Sequence, residues 1–140
     1  MLFSIRVLPL LVIPTVIYAM IALPMGADGV HNTLSGQFFS LSLPSGDAFV
    51  MTWGNMLLGL TLLTLFGEVV RSARPVNSSI VENTLSFLLF TVQLIAFLLV
   101  SGFGAAAFAM IMGMTLLDFT AGAMVMIYAA RRDVQYNVAA

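Results

Sequence analysis

The sequence contains no cysteine and no lysine, and few charged residues of any kind. The absence of cysteine from its 140 residues excludes disulfides, thiolate metal sites and thiol nucleophiles. The absence of lysine excludes a P-loop lysine and Schiff-base chemistry. A formal net charge of −1 gives no basic footprint, so a nucleic-acid partner is not expected.

Apolar residues dominate what is present. The chain is 61% hydrophobic and 8% charged, whereas soluble domains carry roughly 45–50% apolar and about 25% charged residues. Such a chain cannot cover a water-facing surface with polar groups, so its excess apolar side chains must face the lipid bilayer.

Four apolar stretches are long enough to span a bilayer, which takes about 20 residues in a helix. They cover about residues 3–23, 49–70, 80–100 and 104–130. The first stretch is longer than the apolar core of a signal peptide, so it is predicted to be a retained span, and Pro14 predicts a kink near its middle. The predicted fold is an all-α membrane protein with one four-helix transmembrane domain over residues 1–140.

The arginines predict the orientation of these spans. All five lie near the start of span one, between spans two and three, or after span four: Arg6, Arg71, Arg74, Arg131 and Arg132. Basic residues favour the cytoplasmic side. The chain is therefore expected to be a multi-pass protein with both termini in the cytoplasm.

The outer loop, about residues 24–48, carries hairpin signals. Residues 37–43 alternate partly between apolar and polar, and residues 44–47 (Pro-Ser-Gly-Asp) supply turn chemistry. A short β-hairpin is favoured slightly over an irregular interfacial loop. The loop also contains aromatic residues suited to the headgroup zone: Phe38, Phe39, Phe49 and Trp53.

Asp118 is the polar residue that most needs explaining. It lies about 12 positions, or about 18 Å, inside the arginine boundary of span four, where a charge is costly. Counting inward from the ends of the spans predicts a mid-membrane polar layer of Thr15, Thr61, Gln93 and Asp118, in which Gln93 or a threonine bonds the Asp118 carboxyl. Such a carboxyl could bind protons or ions, or could join helices as a polar contact.

Two further groups are predicted to organise the helices. Small residues on span four form a close-packing stripe, unless their spacing is chance: Ala105, Ala109, Gly113 and Gly122. Charges near the cytoplasmic face form a network, with snorkelling as the alternative: Arg6, Glu68, Arg71, Glu82, Arg131 and Arg132. Glu82 also has capping-box spacing from Ser79.

No metal or cofactor is expected. Met110 and Met114 share a helix face, but no histidine or cysteine accompanies them, so adaptable packing explains them. His31 is the single histidine and lies in the outer loop, where one ligand does not make a metal site.

Several segments resemble an uncharacterised family of small four-span proteobacterial inner-membrane proteins. These are residues 43–46 and 53–55, 65–71, 80–86, 117–122 and 130–133. The family favours aspartate where Asn55 stands and an acid–histidine pair where Glu82-Asn83 stands, so no acid or histidine role carries over there. The resemblance implies the fold and a bacterial inner-membrane location, and no particular chemistry.

The sequence therefore favours a non-enzymatic accessory or assembly subunit that packs laterally against other membrane proteins or itself. The alternative is a small oligomeric proton-coupled transporter or channel that uses Asp118. A membrane enzyme is a third hypothesis, and Glu68, Glu82 and Asn83 are its polar candidates at the cytoplasmic face.

Overall fold

A computed structural model describes the backbone of residues 8–72 and 79–138, and the side chains of 8–71 and 80–131. The elements are α1 (Val12–Ser35), β1 (Gln37–Ser42), β2 (Ala48–Thr52), α2 (Trp53–Ser72), α3 (Ser79–Leu99) and α4 (Ala106–Val138). Within these ranges four helical segments are long and apolar enough to cross a membrane: Val12–Ser35, Trp53–Arg71, Ile80–Leu99 and Ala106–Arg131. The prediction of four spans is confirmed to that extent.

The predicted β-hairpin is present. Strands β1 and β2 pair antiparallel, from Gln37 opposite Thr52 to Ser42 opposite Ala48. The turn is closed by a hydrogen bond from the Leu43 N–H to the Asp47 carbonyl, 2.8 Å. Because β2 occupies the residues before Trp53, the second helix begins four residues later than predicted.

The first helix differs most from its prediction, since it runs from Val12 to Ser35 rather than over about 3–23. The predicted kink at Pro14 is wrong, because Pro14 lies in the first turn, where its missing N–H has no helical acceptor. The helix instead breaks at Gly26, two residues after Pro24. Gly26 has φ 64° and ψ −170°, a conformation essentially confined to glycine.

The part of α1 beyond this break, residues 27–35, crosses the end of the bundle. We call it the cap segment. Leu10 lies against Gly67 and Leu34 against Gly54, which are 13 residues apart on α2, or about 20 Å. A straight helix from Leu10 to Leu34 would cover about 36 Å along the bundle, which is more than the distance of about 20 Å between their two contacts on α2. The cap segment therefore lies across the bundle axis.

The apolar core lies under the cap segment, at the end of the bundle that also carries the hairpin and the α3–α4 link; we call this the hairpin end. It consists of buried side chains from the cap segment and from all the helices except α3, together with one from the link: Tyr18, Ala22, Val30, Leu34, Leu57, Phe103, Phe108 and Ile111. Helix α4 packs along both α2 and α3, and α1 packs along α2. The opposite end, where Arg71 lies, is the arginine end.

Candidate functional site: polar contacts between the helices

A buried carboxylate ties α2 to the start of α1 at the arginine end. Glu68 is 6% exposed, and its Oε1 accepts a hydrogen bond from the backbone N–H of Leu10. Arg71 forms the ion pair with Glu68 that their spacing favours, with 2.8 Å between Nη2 and Oε2. The same guanidinium donates to the Leu8 carbonyl at 3.2 Å. The pair thus satisfies backbone groups that precede the helix.

Asp118 joins α4 to α3. The hydroxyl of Ser86 donates a 2.7 Å hydrogen bond to Oδ2 of Asp118. The prediction that Gln93 or a threonine bonds Asp118 is wrong. Among the described residues, Gln93 bonds Thr15 instead. Asp118 also interacts electrostatically with Arg71 and Glu82, as Glu68 does. Of these carboxylates, Glu68 contacts the guanidinium directly.

Asp118 lies closer to the arginine end than its sequence position suggests. Its partner Ser86 is seven residues from the start of α3, or about 10 Å. Helix α4 continues to Val138, so it extends past the level at which α3 begins. Counting inward from Arg131 therefore overestimates the depth of Asp118 in the bundle.

Gln93 and Thr15 do meet, about 10 Å farther toward the hairpin end. Nε2 of Gln93 donates to Oγ1 of Thr15 at 2.6 Å, which joins α3 to α1. Thr61 is fully buried, but its hydroxyl bonds the Leu57 carbonyl of its own helix. The predicted layer is therefore two levels, with Asp118 on one and Gln93 with Thr15 on the other.

The small residues of α4 serve different purposes. A Cβ on Gly122 would lie 2.5 Å from Oδ1 of Asn83, so this glycine allows α3 to approach closely. Ala105 packs against the core at the hairpin end, and Ala109 is half-buried. A Cβ on Gly113 would meet nothing within 4 Å, so no helix of the described chain uses this position.

The predicted charge network is seen only in part. Glu68, Arg71 and Glu82 interact as described above. Arg131 is exposed on α4. Arg6 lies outside the described residues, as does the side chain of Arg132.

Sequence reasoning missed Ser86, the residue of α3 that bonds Asp118. Asn83, Ser86 and Gln93 are spaced three and seven residues apart, so they share one face of a helix. That spacing was the available signal. Thr115, which is fully buried on α4, and Tyr18, whose hydroxyl donates to the Gly102 carbonyl at 2.7 Å, were also missed.

Four apolar helices with polar contacts between them indicate a multi-pass helical membrane protein. Among the described residues, no group of three histidine, aspartate or glutamate side chains could hold a metal ion. No family model, curated protein or solved structure matches the chain. The family resemblance therefore remains an expectation.

Proposed function

We propose that this protein is a non-enzymatic subunit of an integral membrane assembly that packs laterally against other membrane proteins or against copies of itself. The observation that carries the proposal is a pair of uncovered glycines. Cβ atoms on Gly59 of α2 and Gly113 of α4 would meet nothing within 4 Å. Glycines in membrane helices allow close approach of a second helix.

The two glycines lie at a similar depth on the adjacent helices α2 and α4. Asn55 and Met110 line the same cavity of about 310 Å³ between α2 and α4. Gly59 follows Asn55 by four residues and Gly113 follows Met110 by three, so each continues its helix face at a similar depth. The proposed partner helix packs against this level of α2 or α4.

The polar groups within the bundle support the same role. Glu68, Ser86–Asp118 and Thr15–Gln93 are occupied in joining the helices of this chain. Such contacts stabilise a bundle in lipid. They leave the helix faces, rather than a reaction site, as the surface available for function.

Replacing Gly113 by leucine tests the proposal. The protein is purified from native membranes in mild detergent, and its partners or oligomers are identified by crosslinking and mass spectrometry. Gly113→Leu should remove the crosslinked species because the side chain fills the space a partner helix would occupy. Ala129→Leu is the matched control, since Ala129 is exposed on a different face of α4. A wild-type protein that is a monodisperse monomer without partners would overturn the proposal.

The proposed location is the bacterial inner membrane, with both termini in the cytoplasm. Its support is the positive-inside distribution of the arginines and the family resemblance. A reporter fused to the carboxyl end should be active only in the cytoplasm. Periplasmic activity of that fusion would contradict the orientation.

A second candidate function is proton-coupled transport or conduction through an oligomer. The specific observation in its favour is that Glu68 and Asp118 both interact electrostatically with Arg71 and with Glu82. In liposomes, Asp118→Asn should abolish a proton or solute flux without unfolding the protein, while Asp47→Asn in the hairpin turn should leave it unchanged. Wild-type protein that carries no flux under any gradient would end this alternative.

A further inference from the structure

A second and larger cavity lies at the hairpin end, between the cap segment and the α3–α4 link. Its volume is about 480 Å³, within the usual range for ligand pockets of roughly 300–1,000 Å³. It lies on the side of the cap segment where α3 ends, and Asn55 and Met110 do not line it. The two cavities adjoin, since His31 and Ala105 line both.

The walls of this cavity divide into an apolar part and a polar part. The apolar part is the end of α3, where Leu98 is 68% and Leu99 78% exposed, so the cavity opens onto a strongly apolar helix surface. The polar part includes His31 and Ser101. No acidic side chain lines the cavity in the part of the chain that the structure describes.

His31 is the basic residue among the described residues that line the cavity, and Ser101 is a second hydrogen-bond donor there. An imidazole N–H and a hydroxyl donate hydrogen bonds, and bonds to an anionic oxygen are the stronger kind.

The end of the bundle that holds the cavity carries aromatic side chains suited to the headgroup zone. The exposed aromatic side chains of the hairpin end form a chain of ring contacts, with Phe38 4.7 Å from Trp53 and Phe39 6.1 Å from Phe49. Aromatic side chains of this kind concentrate at the membrane–water interface. A molecule in the cavity thus has polar surroundings on one side and hydrocarbon on the other.

We infer that this cavity binds an anionic phospholipid from the leaflet at the hairpin end. The phosphate group contacts His31 and Ser101, and an acyl chain lies along Leu98 and Leu99. A soluble anion would use the two donors but would gain nothing from the apolar wall. This site does not depend on the proposed lateral partner.

The test measures lipid binding to the delipidated full-length protein by native mass spectrometry in mild detergent. Phosphatidylglycerol should reach half occupancy at about one tenth of the concentration that phosphatidylcholine needs, as expected for one charge-assisted hydrogen bond. His31→Ala should remove this preference. Gly104→Leu should weaken both lipids, because Gly104 lines the cavity and a Cβ there meets nothing within 4 Å, so the larger side chain fills the space.

Two control variants keep the result specific. Asn32→Ala changes the neighbour of His31, and Asn55→Ala changes the smaller cavity only; both should keep the preference. Equal binding of the two lipids by the wild type, or a preference that survives His31→Ala, would overturn the inference. Displacement of the lipid by inorganic phosphate would assign the donors to a soluble anion and would overturn it too.

Discussion

Tyr18 shows how a single residue holds the hairpin end together. Its side chain is fully buried, with its ring 4.8 Å from that of Phe108 and 5.5 Å from that of Phe103. Its hydroxyl meets the carbonyl of Gly102 in the α3–α4 link. An aromatic side chain with a polar tip suits this place, since the ring fills the core and the hydroxyl satisfies a buried backbone acceptor.

Tyr18→Phe should therefore lower the stability of the bundle while keeping its packing. Removal of the hydroxyl leaves the Gly102 carbonyl without its partner, at a cost of about 1–2 kcal/mol. Denaturant titration in micelles measures the change in the free energy of unfolding. Tyr128→Phe is the control, because Tyr128 is 66% exposed and should change the stability by less than about 0.5 kcal/mol. Equal effects of the two variants would contradict this role for Tyr18.

At the scale of the elements, the apolar runs and turn residues predicted the helices and the hairpin, but not the cap segment. Lipid-facing helices need long apolar stretches, so their existence is readable from composition. Residues 27–35 contain Asp28, His31 and Asn32, and this polarity resembles a loop. The break depends on the backbone of Gly26 and on contacts with the distant link, which local patterns do not report.

The contact between the α1 break and the α3–α4 link is sensitive to one added methyl group. Gly102 has φ 90°, and a Cβ on it would lie 3.3 Å from the Ala22 carbonyl oxygen and from the Gly26 carbonyl carbon. Gly102→Ala should destabilise the protein by about 1–3 kcal/mol through both backbone strain and crowding.

Gly104→Ala is the matched control for that prediction. Gly104 lies in the same link as Gly102, its φ is not positive, and a Cβ on it would meet nothing within 4 Å. Thermal unfolding of the two purified variants in the same detergent should show a lower midpoint for Gly102→Ala only. A similar loss in both would mean that the link tolerates no substitution, whatever its contacts.

At the scale of the whole molecule, the polar contacts connect the four helices in sequence-distant pairs. Leu10 with Glu68 joins the start of α1 to α2, Ser86 with Asp118 joins α3 to α4, and Thr15 with Gln93 joins α1 to α3. Depth counting placed Thr15 and Gln93 at a common level, and the two residues do meet, although their bond to each other was not predicted. It misplaced Asp118, because α4 extends beyond the bundle and its arginines do not mark the level at which α3 begins.

Helix α3 packs mainly on α4, and most of its remaining surface is uncovered. A double-mutant cycle with Ser86→Ala and Asp118→Ala should therefore give a coupling energy of about 0.6 kcal/mol, and at most about 1.7 kcal/mol, in the free energy of unfolding. A second cycle that combines Thr84→Ala with Asp118→Ala should give no coupling energy. The Thr84 hydroxyl donates to the Ile80 carbonyl of its own helix. Asp118→Asn keeps an acceptor for Ser86, so its stability should stay close to that of the wild type. If both cycles gave the same coupling, the hydrogen bond between Ser86 and Asp118 would not be what holds α3 to α4, and the small-residue contact at Gly122 would have to account for their association.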